Sequence, residues 1–231
     1  MTAPVRPALP PVVCLLGGES SGKTTLANAL HQWLATNRGL RVALVPEYLR
    51  SWCEVHQRAP LAHEQAAIAA SQSQMIATAA ALPGIQLVIS DTSALTVAAY
   101  SELYFNDHSV WPFALQAQRS YDATLLMGLD LPWKNDGLFR DSPTVRAAID
   151  ALLRRELQGT DLAFQTVYGT HGQRLHNALR ALSPILTPLL GQAPVVTKEM
   201  QTAGRPGWVC EACSDPDCEH RLFTSLLKNM P

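Results

Sequence analysis

Apolar positions along the chain follow two alternating periods. Short β-rich runs occur at Val12-Val13-Cys14-Leu15-Leu16, Arg41-Val42-Ala43-Leu44-Val45 and Leu87-Val88-Ile89-Ser90-Asp91-Thr92. Two more follow at Ala123-Thr124-Leu125-Leu126-Met127 and Phe164-Gln165-Thr166-Val167-Tyr168. Runs this short and this continuous predict strands buried on both faces. Between them apolar residues recur at three- and four-residue spacing: Leu26, Leu30 and Leu34; Val145, Ile149, Leu152 and Leu153; Leu175, Ala178, Leu179 and Leu182. That period predicts amphipathic helices. Residues 61–81 predict a long alanine-rich helix stopped by Pro83-Gly84, and helices are also expected over 93–105, over 109–120 and from Pro184. Asn37 and Gly39 supply a helix stop, Ser142-Pro143 a helix start, and residues 169–172 read as a turn. Strands alternating with helices predict an α/β fold: a three-layer sandwich with a mostly parallel sheet covered on both faces.

One polar stretch interrupts this pattern at an informative place. Gly17-Gly18-Glu19-Ser20-Ser21-Gly22-Lys23-Thr24-Thr25 fits G-x-x-x-x-G-K-[ST] without mismatch, between the first predicted strand and the first predicted helix. Glycines let the backbone wrap so that successive N–H groups point at phosphate oxygens, and the following helix adds its positive end. The motif identifies a P-loop NTPase fold that binds a nucleoside triphosphate through residues 17 to 25. In this loop class Lys23 reaches the β- and γ-phosphates, and the Thr24 hydroxyl sits on Mg²⁺.

Two carboxylates end predicted strands, where ligands gather in open α/β sheets. Asp91 suits the second metal position, holding Mg²⁺ directly or through water. Glu47 stands either where a substrate lies or as the N-terminal charge of a following helix, and position alone leaves both readings open. Tyr100 and Tyr104 share a helix face, for which core packing is the plain reading. The segment from Asp130 to Asp141, with Trp133, Asp136 and Arg140, is polar and broken by Pro and Gly. It suits a lid closing over phosphates.

Composition narrows the class without changing the fold. A 231-residue chain with 47% hydrophobic residues suits one α/β domain with an appendage. A net charge of -1 and no run of like charges give no footprint for nucleic acid. The proline-rich residues 1–11 lack the apolar core of a signal peptide, and no apolar stretch spans a bilayer comfortably. A soluble cytoplasmic protein without membrane contact is expected. The domain reading is a flexible lead-in over 1–11, a kinase-like domain over 12–190, and a linker with a Cys/His tail over 191–231. Cys210, Cys213, Cys218 and His220 crowd into eleven residues and match a structural Zn²⁺ site in part, the second pair being tighter than usual. Reduced surface thiols and a redox role are the other readings. The acidic neighbours Glu211, Asp215, Asp217 and Glu219 argue against phosphate contact there.

Taken in order, residues 17–26, Val45-Pro46-Glu47-Tyr48-Leu49-Arg50, Ser90-Asp91-Thr92, Glu102-Leu103-Tyr104-Phe105, Arg119-Ser120-Tyr121-Asp122 and Pro132-Trp133-Lys134-Asn135-Asp136-Gly137 carry a more specific likeness. Over roughly 12–182 the chain resembles the nicotinamide riboside kinase domain of bifunctional bacterial NAD-regulator proteins and their stand-alone relatives. The resemblance implies a nucleoside-kinase-like fold and ATP-dependent phosphorylation of the ribose 5′-hydroxyl of nicotinamide riboside, giving nicotinamide mononucleotide. It implies a small-molecule nucleoside as partner, with Glu47, Tyr48, Tyr104, Trp133 and Asp136 on the substrate side. Trp133 and Tyr104 would flank the cationic ring, with simple packing of both rings as the alternative. Lys23 and Arg140 would stabilise the transferred phosphoryl group, and either Glu47 or Asp91 would accept the hydroxyl proton, with Glu47 favoured. With about eleven residues before the first strand, no nucleotidyltransferase or DNA-binding module is expected. The spacing from Gly137 to Arg140 holds one residue more than the family pattern. Two other readings stay open: a kinase of another nucleoside or small alcohol, and a regulatory ATPase acting through the C-terminal tail.

Overall fold

A computed structural model describes residues 9–134 and 142–191. Five strands form one sheet: β1 (Val12–Leu16), β2 (Val42–Val45), β3 (Leu87–Asp91), β4 (Ala123–Met127) and β5 (Gln165–Val167). Their order is β2-β3-β1-β4-β5, and every neighbouring pair is parallel. Parallel neighbours need long crossovers, and helices supply them. These are α1 (Lys23–Arg38), α2 (Tyr48–His56), α3 (Gln65–Ala80), α4 (Ala94–Phe105), α5 (Trp111–Gln118), α6 (Pro143–Gly159), α7 (His171–Ala181) and α8 (Ser183–Leu190).

The central strand shows why two helical layers are required. All five residues of β1 are buried, and successive side chains point to opposite faces. Val13 and Leu15 pack with Leu26, Leu30 and Leu34 of α1 and with Ala178, Leu179, Leu182 and Leu186 from α7 and its C-terminal neighbours. On the other face Leu16 joins Ile68 of α3, Leu95 and Ala98 of α4, and Ile149 and Leu153 of α6. Val12 and Cys14 meet Ile76 and Ala80 of α3. Burial pushes the Cys14 thiol far up, so it behaves as a small apolar side chain. The three-layer α/β sandwich with a parallel sheet is therefore the observed architecture.

Boundaries differ from the sequence reading at identifiable places. The expected helix over 61–81 begins as a 3₁₀ turn, Ala62–Glu64, before α3 proper. The helix expected over 109–120 narrows to Trp111–Gln118. Residues 169–172 are not wholly a turn, because α7 starts at His171. A helix after Glu47 is one of the two readings its position leaves open, and α2 is that helix; only Cys53 in it is buried, so its apolar stripe is too thin to give its extent from spacing. The first helix ends as its glycine predicts, with Gly39 at φ 64° and its N–H donating to the Ala35 carbonyl at 3.1 Å. Asn37 instead lies inside α1, where its amide donates back to the Trp33 carbonyl.

Leu30 has no exposed surface and sits between α1 and the sheet. Leu30→Ala is expected to lower unfolding free energy by about 2–5 kcal/mol. Urea denaturation followed by circular dichroism checks this, and a change under about 1 kcal/mol would show that the site collapses to fill the void.

Candidate active site

The phosphate loop lies between β1 and α1, and its shape depends on close approach. An added Cβ at Gly18 would lie 2.9 Å from the main-chain oxygen of Arg146 in α6. At Gly22, where φ is +84°, it would lie 2.8 Å from Leu131 Cδ1. Space at Gly18 and backbone conformation at Gly22 favour glycine, and the cradle so formed fits the phosphates of a nucleotide. Lys23 is buried, and its ammonium donates to the carbonyls of Gly17 (2.8 Å) and Gly18 (3.1 Å). The lysine is thereby held back across its own loop. Ser21 Oγ tightens the loop by donating to the Gly18 carbonyl at 2.7 Å.

Two arginines outside the motif brace it. Arg174 of α7 is buried and donates to the Ser21 carbonyl (2.5 Å), the Gly128 carbonyl (3.1 Å) and Asp130 Oδ1 (2.5 Å). Burial pushes its guanidinium pKa down, and the Asp130 carboxylate opposes that shift. Asp130 in turn accepts from the Gly169 N–H at 2.6 Å, so one charged pair joins the loop, the end of β4 and the turn after β5. Arg146 of α6 donates to the Leu131 carbonyl at 2.8 Å and the Ser20 carbonyl at 3.4 Å. The loop's Glu19 accepts from the Ser142 N–H at the head of α6 at 3.1 Å, and Ser20 Oγ accepts from the Lys134 N–H at 2.8 Å. Nothing in the periodicity of α6 or α7 distinguished Arg146 and Arg174 from surface arginines.

Across the sheet, Thr24 Oγ1 donates to Asp91 Oδ2 at 2.5 Å. Leu15 and Asp91 are register partners, so the pairing of β1 with β3 brings the carboxylate level with the start of α1. Asp91 is buried, and its Oδ1 has no hydrogen-bond partner. An orphaned buried carboxylate oxygen beside a threonine hydroxyl is a donor set that fits Mg²⁺, a hard cation that takes oxygen ligands. The strand ends sharply behind it. Thr92 adopts φ 99°, a conformation that β-branched residues rarely enter, and Ser90 Oγ secures the turn by donating to the Thr92 carbonyl at 2.7 Å.

Glu47 follows β2 as the N-cap residue of α2, but its side chain makes no capping hydrogen bond. It lines a cavity of about 660 Å³ together with Lys23, Thr24, Arg50, Tyr100 and Tyr104. Burial raises its carboxyl pKa above the ordinary range; Lys23 opposes this, Asp91 adds to it, and Arg50 opposes it weakly. The turn bearing Glu47 is clamped from behind by Gln72 of α3, which is wholly buried. Gln72 Oε1 accepts from the Tyr48 N–H at 2.7 Å, while Nε2 donates to the Pro46 carbonyl (3.2 Å) and Ser90 Oγ (3.3 Å). One amide thus ties the end of β2 to the end of β3. In the sequence Gln72 reads only as a polar interruption of an alanine-rich helix.

The expected substrate residues separate. Tyr104 lines the cavity with 48% of its surface exposed, and its ring stacks on that of Tyr100 at 6.1 Å between centroids. Tyr48 packs against the core and is absent from the cavity wall. Trp133 is absent from that wall as well. Its indole Nε1 is buried without a partner, next to the residue that bonds Ser20. Asp136, Arg140 and the cluster Cys210, Cys213, Cys218 and His220 lie outside the described residues. Among the described residues no group of three or more His, Cys, Asp or Glu side chains could hold a metal ion, and no helix is long and apolar enough to cross a membrane.

A family model described as an AAA domain matches residues 12–174. The chain belongs to the AAA domain family. Its P-loop and five-stranded parallel sheet are those of that nucleotide-binding class. The AAA domain also resembles solved structures at the level of fold. A NadR protein crystallised with NAD and AMP-PNP matches with TM-score 0.64 and 20% identity, over 82% of this chain and 52% of that one. A NadR protein crystallised with NR matches with TM-score 0.64 and 22% identity, over 82% of this chain and 54% of that one. The chain therefore spans about half the length of these NadR proteins. Thymidylate kinase from Ehrlichia chaffeensis matches with TM-score 0.55 and 14% identity, over 76% of this chain and 99% of that one. No curated protein matches the chain.

Two measurements test this arrangement. Because the folded state holds the Glu47 proton more tightly than the unfolded chain, stability falls as pH rises from the ordinary glutamate range through the raised pKa. Glu47→Gln is therefore expected to melt above wild type at neutral pH, with the gain disappearing at acid pH, where both side chains are neutral. A pH-independent difference in Tm would remove the burial argument. Gln72→Leu leaves the Tyr48 N–H and the Pro46 carbonyl unpaired and is expected to cost about 1–3 kcal/mol in denaturant unfolding.

Proposed function

We propose that this AAA domain is an ATP-dependent nucleoside kinase that phosphorylates the 5′-hydroxyl of nicotinamide riboside. The observation that carries the reading is that one cavity joins the phosphate loop to a carboxylate and an aromatic wall. Lys23 and Thr24 line it on one side, Glu47 stands beyond them, and Tyr100, Tyr104 and Phe105 line it further out. A P-loop enzyme that only hydrolysed ATP would need a water-sized acceptor position, whereas this cavity is large enough for a nucleoside.

The division of labour follows from the side chains. The loop amides and Lys23 bind and orient the triphosphate, and Lys23 offsets charge on the transferred group. Thr24 and Asp91 would hold Mg²⁺, which supplies charge neutralisation between the phosphates. Glu47 in its carboxylate form takes the proton of the acceptor hydroxyl, and its burial sharpens that basicity. Assigning the base to Glu47 leaves Asp91, already bonded to Thr24, for the metal side. A cationic pyridinium ring lying against Tyr104 would gain about 0.5–2 kcal/mol. The charge of Arg58 on the cavity wall is offset by a two-pronged ion pair with Glu64. The resemblance of the sequence motifs to riboside kinases supports the choice of acceptor, and the NadR folds are consistent with it.

Purified protein with ATP and magnesium is expected to convert nicotinamide riboside to its mononucleotide, with little ATP consumed when no acceptor is present. Glu47→Gln is expected to lower kcat about 10²–10⁴-fold with a small change in KM for ATP. Turnover only with another nucleoside would replace the acceptor, acceptor-independent turnover would replace the kinase, and a kcat near wild type in Glu47→Gln would move the base elsewhere.

A further inference from the structure

Two glutamines stand seven residues apart on α3, two turns and therefore one face of the helix. Both are buried, Gln72 completely and Gln65 with 3% of its surface exposed. Their partners differ. Gln72 spends its amide on the Tyr48 N–H, the Pro46 carbonyl and Ser90. Gln65 Oε1 is sealed from solvent and has no hydrogen-bond partner. Buried polar side chains are normally paired, and a wholly apolar residue would be cheaper here.

The position of Gln65 accounts for the missing partner. It is the first residue of α3 and lines the same cavity as Glu47, Cys53, Tyr100 and Tyr104. A half-turn about its terminal torsion exchanges oxygen for NH₂ and breaks no bond to the described protein. The amide can therefore present either polarity to a molecule in the cavity. Lys23 and Glu47 carry charge on the phosphate side of the cavity, and the charge of Arg58 on its wall is offset by Glu64. A neutral amide that shares a cavity with stacked tyrosine rings suits a neutral hydrogen-bonding group on a flat acceptor.

We infer that Gln65 is a specificity-determining residue of the acceptor site, completing its hydrogen bonds with a neutral donor–acceptor group of the bound nucleoside. Two groups of nicotinamide riboside have that chemistry, the ring carboxamide and the ribose hydroxyls. The inference rests on the kinase reading above and deepens it. Losing one neutral hydrogen bond to the acceptor weakens its binding and leaves ATP binding and the base untouched. Because no hydrogen bond of the Gln65 side-chain amide ties it to the described protein, removing that amide is expected to leave the fold's stability unchanged or raised.

Steady-state kinetics and thermal melting of Gln65→Met, with Gln65→Leu as a second variant, test this in the full chain. The expected result is a KM for nicotinamide riboside raised about tenfold, with KM for ATP and kcat within about threefold of wild type. The Tm is expected to equal or exceed that of wild type. Nicotinic acid riboside and the 2′-deoxy riboside separate the two sources. The analogue that already lacks the recognised group should show no further loss in the variant, as a double-mutant cycle requires. Wild-type turnover of the riboside with an unchanged KM in both variants overturns the role of Gln65 and spares the kinase reading. A lowered Tm with loss of kcat at saturating riboside marks Gln65 as packing and overturns it as well. No riboside turnover by wild type overturns both.

Discussion

The contact between Thr24 and Asp91 is the constraint on which the rest of the site depends. Thr24 belongs to the first turn of α1 and Asp91 to the last position of β3, 67 residues further along the chain. They meet because β1 and β3 pair in parallel with Leu15 opposite Asp91. A shift of one residue in that register would turn the carboxylate to the other face of the sheet. The register is secured by the apolar residues of both strands, which bury every side chain of β1 and β3 between two helical layers. Core packing and site geometry are thus one constraint, because the same strand pairing serves both.

Around that contact the fold uses buried polar side chains as struts. Arg174 and Asp130 hold the loop to the ends of β4 and β5, Arg146 holds it to α6, and Gln72 holds the end of β2 to the end of β3. Each strut joins segments far apart in sequence, and each bonds at least one main-chain carbonyl. The loop's glycines are the complement of this arrangement. Where the main chain of α6 presses on Gly18 a Cβ would not fit, and at Gly22 the positive φ favours a residue without one. Among the buried polar atoms left without a partner, Gln65 Oε1 belongs to a residue of the cavity wall and Asp91 Oδ1 lies on the carboxylate that Thr24 bonds.

Much of this was legible in the linear chain, and particular residues show why. The loop from Gly17 to Thr25 identifies itself, because its glycines, lysine and threonine serve a local backbone shape. Asp91 and Glu47 could be placed at strand ends, since an apolar run followed by a carboxylate is also a local pattern. Helix α2 was legible only as one reading of Glu47, because its burial amounts to Cys53 and a few partly packed neighbours. Gln65, Gln72, Arg146 and Arg174 escaped for a different reason. Their meaning lies in partners contributed by other elements, and no spacing rule along one helix encodes them.

The sequence by itself determined the alternation of strands and helices, the phosphate loop and the two strand-end carboxylates. Each of these follows from side-chain periodicity or from backbone freedom over a few residues. Tertiary structure decided which of the candidate aromatic residues share a cavity with Glu47. Tyr104 does, while Tyr48 turns into the core and Trp133 stands apart from the cavity wall. It also decided that the Glu47 carboxyl is raised and that a single glutamine holds it in place. Burial and long-range hydrogen bonding depend on what lies across space, and only the packed sheet and its two helical layers supply that.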